Sequence, residues 1–444
     1  MKYSQPFGTP DPPLGTYPRF VNGNPVTGTE GSIPPATAFD EDQIEIITVI
    51  QNAGLTPDHG DLTQLWQALM ALFAQKYITT PITKTIHGAG ADFPDLIAAF
   101  NWVAQYIITP TGSVTFLCAS GTWNYTQTVE VNHPNADRIV VTGPALTGAS
   151  PAQNQLSVTW PITGTSRQTD GTNQHNQLKG IYACELSFLG GVSGFRVYRG
   201  GVTIRYLLIS GTQTVAQPHA GDPGGCGICA FATVVLDGTA VWGFGNHGYY
   251  SQGGAFLSYT SLSIIASFCN SCGFWTFGGL ISFLSNQNVI STSHGSCAFA
   301  CFGTEVYSGI VDARGIATPK TVAGGGASNV GAVTVEQGTQ FMMGAGSLVR
   351  YCNNQGCTVA DCSTLQLSGS TVMDCSVWQI WMNNGVCWAE GSNIQQTAGT
   401  VYPNGGVAVL QNGAQLSLLG AVVGGSVFPT PNTYNMANNS FVRM

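Results

Sequence analysis

LQLSGSTVM (365–373), CWAEGSNIQ (387–395) and VLQNGAQLSL (409–418) align without gaps on Gly369, Gly391 and Gly413, spaced by 22 and 22 residues. TVEQGTQFMM (334–343) is a fourth copy around Gly338, displaced by a longer insertion. In each, the third residue after the glycine is apolar: Phe341, Val372, Ile394 and Leu416. A β-sandwich has no reason to repeat at this interval. A parallel β-helix has one, because each coil stacks the same inward position on the coil before it. The cysteines keep a related period: Cys226 to Cys269 and Cys229 to Cys272 are each 43 residues, close to two coils, and Cys352 to Cys375 is 23. They are expected as inward ladders.

Outward from these repeats, toward the N-terminus, the chain from Ser113 reads as short strands such as SVTFL, TVEV and RIVV divided by Gly, Asn and Pro. No long helical pattern is expected beyond that point. Ahead of it, ADFPDLIAAFNWVAQYI (91–107) predicts a helix capped by Asp92, with Leu96, Phe100, Val103 and Ile107 on one face. FDEDQIEIITVIQNAGL (39–55) predicts another, opened by Asp40 with Gln43 and closed at Gly54. A third follows Asp61, where Leu62, Leu65, Trp66, Leu69, Leu72 and Phe73 recur at helical spacing. With Ile47, this stripe fits either a trimerising bundle or an intramolecular hairpin. The first 38 residues are rich in Pro and Gly and carry spaced anchors including Tyr17, Phe20 and, just beyond, Phe39. They read as an extended arm that docks on another protein, or as a disordered leader. The organisation is therefore 1–38 arm, 39–80 helical attachment or trimerisation element, 81–110 linker and capping helix, 111–420 β-helix and 421–444 cap or tail.

Only 8% of the 444 residues are charged, against about 25% in an ordinary soluble domain, and 57 are glycine. The formal charge is −8, and no Lys or Arg occurs from Tyr206 to Ala313. Phosphate binding needs clustered cations, so nucleic acid is excluded as a partner. MKYSQPFGTPDPP lacks the apolar stretch of a secretory signal and no run of about 18 apolar residues occurs, so synthesis in a cytoplasm without membrane insertion is expected. The thirteen cysteines are then expected as reduced thiols.

FVNGNPVTGTEGSIPPATAFDEDQIEIITVIQNAGLTPDHGDLTQLWQAL (20–69) resembles the N-terminal region of prophage tail fibre and tail spike proteins. IHGAGADFPDLIAAFNWV (86–103), followed by SVTFLCASGTWNYTQTVEVNHPNADRIVVTG (113–143), is similar to the entry into a right-handed parallel β-helix of the pectate-lyase-like type found in phage tail proteins. The resemblance covers roughly the first 143 residues and implies a short helix over the open end of the first coil. It further implies a homotrimer on the virion tail, made in the host cytoplasm, attached to tail or baseplate proteins through its N-terminus, with the β-helix contacting bacterial surface glycan or bracing the tail.

Some proteins of this type cleave host polysaccharide, which as glycoside hydrolysis requires two carboxylates about 5–9.5 Å apart. From Gly112 onward twelve acidic residues are thinly spread, and Asp361 and Asp374, in VADCS and VMDCS, are the candidate pair. The competing reading makes them turn aspartates beside inward cysteines. The lyase family's calcium ligands and basic catalytic residue have no match, so a non-enzymatic adhesin or fibre is expected, with a glycan depolymerase as the alternative. CGIC at Cys226 and CNSC at Cys269 have zinc-like spacing within each pair, but 39 residues separate them; no metal and no cofactor is expected. WGFGNHGYYSQGGAFLSY (242–259) and FCNSCGFWTFGG (268–279) offer Trp242, Tyr249, Tyr250 and Trp275 as glycan contacts if exposed, or as core if buried.

Overall fold

A computed structural model describes residues 26–27, 37–58, 60–74, 77–212, 224–316, 331–376, 378–395, 406–423, 434–436 and 441–443. The chain divides into two compact units, 1–77 and 78–444. The arm anchors Tyr17 and Phe20 lie outside the described residues, as does the side chain of Phe39.

In the first unit, helix α1 (Thr37–Asn52) packs against helix α2 (Gln64–Ala74). α1 begins at Thr37, ahead of the expected cap at Asp40. Asp61 accepts from the Thr63 amide (2.9 Å) and from the Gln67 side chain (2.9 Å), fixing the turn into α2. Ile50 and Ala68 are buried between flanks that leave much of the apolar stripe exposed.

The second unit is a parallel β-helix. Its strands form a thirteen-stranded sheet I and two eleven-stranded sheets, II and III, visited in that order on each coil from Ser113 onward. One coil runs through Thr364–Gln366 in sheet I, Thr371–Cys375 in sheet II and Trp378–Asn383 in sheet III, and the next opens at Val386–Trp388. Among the described residues the strand pairings are parallel, and the inward positions stack into continuous ladders such as Phe341, Leu365, Cys387 and Leu416 in sheet I. Each of these four side chains is fully buried. Stacking like on like supplies the core that a single short strand cannot.

The repeats spanned two different corners. Gly369 and Gly391 turn the chain from sheet I into sheet II, one coil apart, and Val372 pairs with Ile394 there. Gly338 and Gly413 turn it from sheet III into sheet I, ahead of Phe341 and Leu416. The two corners look alike in sequence because each places a left-handed glycine before an inward apolar residue; Gly369 has φ +70° and Gly413 +81°.

Three further expectations are corrected. Helix α3 spans Leu96–Val103, and its cap is Asp95, which accepts from the Ala98 amide. Asp92 instead binds Lys84 and the Thr85 amide, each at 2.8 Å, and Ile107 leaves the helix for a short strand, half exposed. Leu96, Ala99, Phe100 and Val103 are buried, and Phe100 meets Phe116 of the first coils edge-on.

Among the cysteines, Cys352 and Cys375 are inward register partners. Cys229 alternates with the core residues Ile228 and Ala230, so it faces outward, paired with Tyr250. Cys272 pairs with Cys297 and the two form a disulfide between adjacent coils, so these two are neither inward nor reduced.

A long helix does return after Ser113. Residues 143–183, inserted between Ile139–Thr142 and Cys184–Phe188, contain α4 (Gly164–Lys179) and pass across the outward face of sheet II. α4 carries no apolar stripe. It is set by a capping box in which Thr163 and Ser166 satisfy each other's amides.

Candidate functional site

The outward face of sheet II is closed by the 143–183 segment. Beneath it Leu156, Leu178 and Tyr182 cover Leu208, Ala240, Ile265 and Ile290, four successive positions of one outward row. Buried carboxylates bracket that row. Glu185 binds His175 (2.7 Å) and Lys179 (3.0 Å) of α4 and Ser210 (2.7 Å). Burial raises the Glu185 carboxyl, but the hydrogen bonds from His175, Ser210 and Lys179 outweigh it and hold the group at about 2. At the other end Asp312 accepts from the Asn154 amide (2.7 Å) and pairs with Arg314, which reaches the Leu156 carbonyl.

This cover decides two of the four proposed glycan contacts. Trp242 stacks on His175 of α4 at 4.0 Å and donates to the Gly171 carbonyl, so it belongs to the packed strap. Tyr249 is fully buried in the core, stacked on Phe274 at 4.6 Å. Tyr249 thus takes the core alternative, and Trp242 is partly covered by the strap.

Tyr250 and Trp275 are brought together on the outward face of sheet III. They are register partners with rings 5.0 Å apart and nearly parallel, and His247 flanks both. A second outward row runs beside them along the strand ends. Tyr198 stacks on Phe231 at 5.4 Å, while Gln252, Phe277 and Phe302 follow on successive coils in register. Tyr250 donates its hydroxyl to Gln252 (3.1 Å), tying the rows together. Tyr198 and Phe277 remain 40% and 45% exposed. Tyr198, Phe231 and Phe302 were not singled out from the sequence; their signal is an aromatic one or two residues ahead of the sheet III to sheet I corner.

The proposed acid pair is not assembled. Asp374 lies in a sheet II strand, buried, with Arg350 at 2.7 Å. Asp361 is exposed in the corner between sheets III and I, and a sheet I strand separates the two. Both have positive φ, +53° and +55°, but only Asp361 sits in a turn; Asp374 lies within a strand, so the turn reading fits one of the two. Asp361 instead acts on Glu336 one coil earlier, whose carboxyl is raised by partial burial and by that neighbouring charge. Ile47, Leu62, Leu65 and Trp66 are exposed on the helical unit, and Leu69 is half-buried.

A cavity of ≈ 440 Å³ opens beneath α3, lined by Phe100, Asn101, Gln127, Glu130 and the buried Arg196. Among the described residues no group of three or more His, Cys, Asp or Glu could hold a metal, and no helix is long and apolar enough to cross a membrane.

No family model and no curated protein matches the chain. Solved structures that it is similar to include Geobacillus virus E2 ORF18, 12% identical with a TM-score of 0.36, covering 96% of this chain and 66% of that one. The Azotobacter vinelandii mannuronan C-5 epimerase AlgE4 A-module is 10% identical with a TM-score of 0.36, covering 79% and 91%. Bacteriophage CBA120 tailspike protein 3 is 13% identical with a TM-score of 0.24, covering 73% and 56%.

Proposed function

We propose that the chain is a bacteriophage tail fibre or tail spike component. It attaches to the tail or baseplate through residues 1–38, trimerises through its helical element, and presents its β-helix to the host surface or to the tail. The observation that carries this reading is the order of parts: a Pro- and Gly-rich arm and a helical pair, both resembling phage tail N-termini, precede a β-helix whose first coil meets a short helix. An adhesive or structural role is preferred, because Asp374 is engaged by Arg350 and stands apart from Asp361. A depolymerase of the same fold would draw on Glu336 beside Asp361, an acid pair on neighbouring coils. The experiment is to produce phage carrying a chain that lacks residues 1–38. The truncated protein should keep its circular dichroism and melting temperature, since the deleted arm carries no periodic apolar face, yet be missing from purified particles. Normal incorporation refutes attachment through the arm.

A further inference from the structure

Three features of sheet III and the corner after it converge on one strip of surface. The edge row Tyr198, Phe231, Gln252, Phe277 and Phe302 is aromatic on four of its five coils, with two of the aromatic members 40% or more exposed. Beside that row the corner into sheet I is rich in glycine. Gly200, Gly253, Gly254, Gly278 and Gly279, with Thr233 and Leu280 among the side chains, line a furrow of ≈ 350 Å³. The strip also lies in a stretch almost without charge: Arg199 stands at one end and Glu305 at the other, with no Lys or Arg in sequence between Tyr206 and Ala313.

Fold requirements account for only part of this. Gly254 and Gly279 are needed because a Cβ there would fall 2.5 and 2.3 Å from carbonyl oxygens of the coil below. Gly253 and Gly278 have φ +71° and +62°, but nothing lies within 4 Å of where their Cβ would stand. Asn is tolerated in that conformation, and Asn384 and Asn412 adopt it at the same corner further along. Side-chain-free turns are therefore a feature of this part of the corner and not a demand of the corner itself. Likewise Tyr250 and Trp275 stack face to face and are largely covered, whereas Tyr198 and Phe277 keep ring area in water. Exposed apolar surface next to a polar backbone floor marks an interaction site.

We propose that this strip binds an uncharged polysaccharide chain laid along the solenoid axis. Sugar rings would lie against Tyr198, Phe231 and Phe277, and hydroxyl groups would reach the peptide groups of the glycine turns. The one cation on the strip, Arg199, stands at its end and is offset by Glu305 at the other, so the strip has little charge with which to hold an anionic glycan. This rests on the reading of the β-helix as a host-surface contact, and it narrows that reading to a neutral glycan held without cleavage.

The test is affinity electrophoresis of the full-length protein through gels containing dextran, amylose, galactomannan or mannan, with alginate and polygalacturonate as anionic controls. At least one neutral polymer should retard the protein and neither anionic polymer should. Tyr198→Ala with Phe277→Ala should weaken retardation by roughly tenfold or more, the loss expected when two stacking rings are removed. Gly278→Asn should do the same by filling the furrow, with the melting temperature unchanged, so the outcome does not depend on the double variant folding. Trp388→Ala, an exposed aromatic on sheet I away from the strip, should have no effect. The proposal is overturned if no neutral polymer retards the protein, if the anionic polymers do so better, or if Gly278→Asn binds normally. A native mass lowered by Phe277→Ala, without glycan binding, would assign the patch to subunit contact instead. Incorporation into phage particles is scored separately, so attachment and glycan binding can each fail without the other.

Discussion

His294 shows how one buried side chain ties this fold to pH. Its Nδ1 accepts the Cys269 amide (3.2 Å), so the proton of the neutral ring sits on Nε2 and points to the Ser291 oxygen (3.0 Å), which donates onward to the Ala298 carbonyl. Every polar atom of the neutral ring is satisfied, and protonation would put a second donor against the Cys269 N–H. Burial, with the nearby Arg167 charge, lowers the group to about 3, and burial lowers His87 to about 4. Between the ordinary histidine value and these, the unfolded chain holds protons that the folded chain does not. Stability should therefore fall as pH drops below about 6.5, by up to ~1.4 kcal/mol per pH unit for each group. Glu185, held at about 2, extends the same trend below the usual carboxylate range, while Glu336, raised, opposes it just above that range. Urea midpoints measured from pH 7 to 4 should decline, and His294→Asn should flatten the decline. An unchanged slope in that variant would remove His294 from the account.

At the scale of elements, what could be read from the sequence was what repeats with a hydrophobic period. The inward ladders through Phe341, Val372, Ile394 and Leu416 were legible because burial leaves no choice of residue class, and the helices around Ile47, Leu65 and Phe100 because their apolar spacing is helical. The corner to which each glycine belongs was not, since two kinds of turn share one local pattern. α4 was illegible for a different reason: GTSRQTDGTNQHNQLK has no apolar face, and it is held by polar contacts and close approach. Gln174 bonds to the Ser157 carbonyl and the Ser293 hydroxyl, and Arg167 reaches the Ser293 and Cys269 carbonyls at 2.9 Å each. The closest approach is at Gly171, where a Cβ would stand 2.4 Å from the ring of Phe268. Gly171→Ala should therefore lift α4 away from sheet II, costing roughly 1–3 kcal/mol despite the better helix propensity of alanine. Amide hydrogen exchange would report this as lost protection across 164–179 with the sheet I strands unaffected, and retained protection there would show that the contact relaxes without cost. The same strap explains why Trp242 could not be assigned from sequence, because nothing local to it announces a partner, Gly171, that lies 71 residues upstream.

The whole molecule joins a long β-helix, which carries its own continuous core, to a helical unit that does not cover its apolar side chains. In α1, Ile44, Ile46 and Ile47 are exposed; Leu62 is exposed just ahead of α2, and within it Leu65, Trp66 and Met70 are exposed, with Leu62 and Trp66 at 95% and 66%. Helices this short bury too little to persist alone, and a cluster of such residues in one small element is the signature of a missing partner surface. A second and third copy of the same helices would supply it, with Leu62, Leu65 and Leu69 spaced as seam positions and Trp66 beside them. Native mass measurement of the full chain should give three copies. Leu65→Lys with Trp66→Ala should shift the mass to a single copy, because a charge is placed in the seam and its largest contact is removed. The melting transition of the β-helix should survive this change, since none of the altered residues belongs to that unit. A wild-type chain that stays monomeric at micromolar concentration, with the helical signal intact, would show that α1 and α2 close on each other as a hairpin and need no partner.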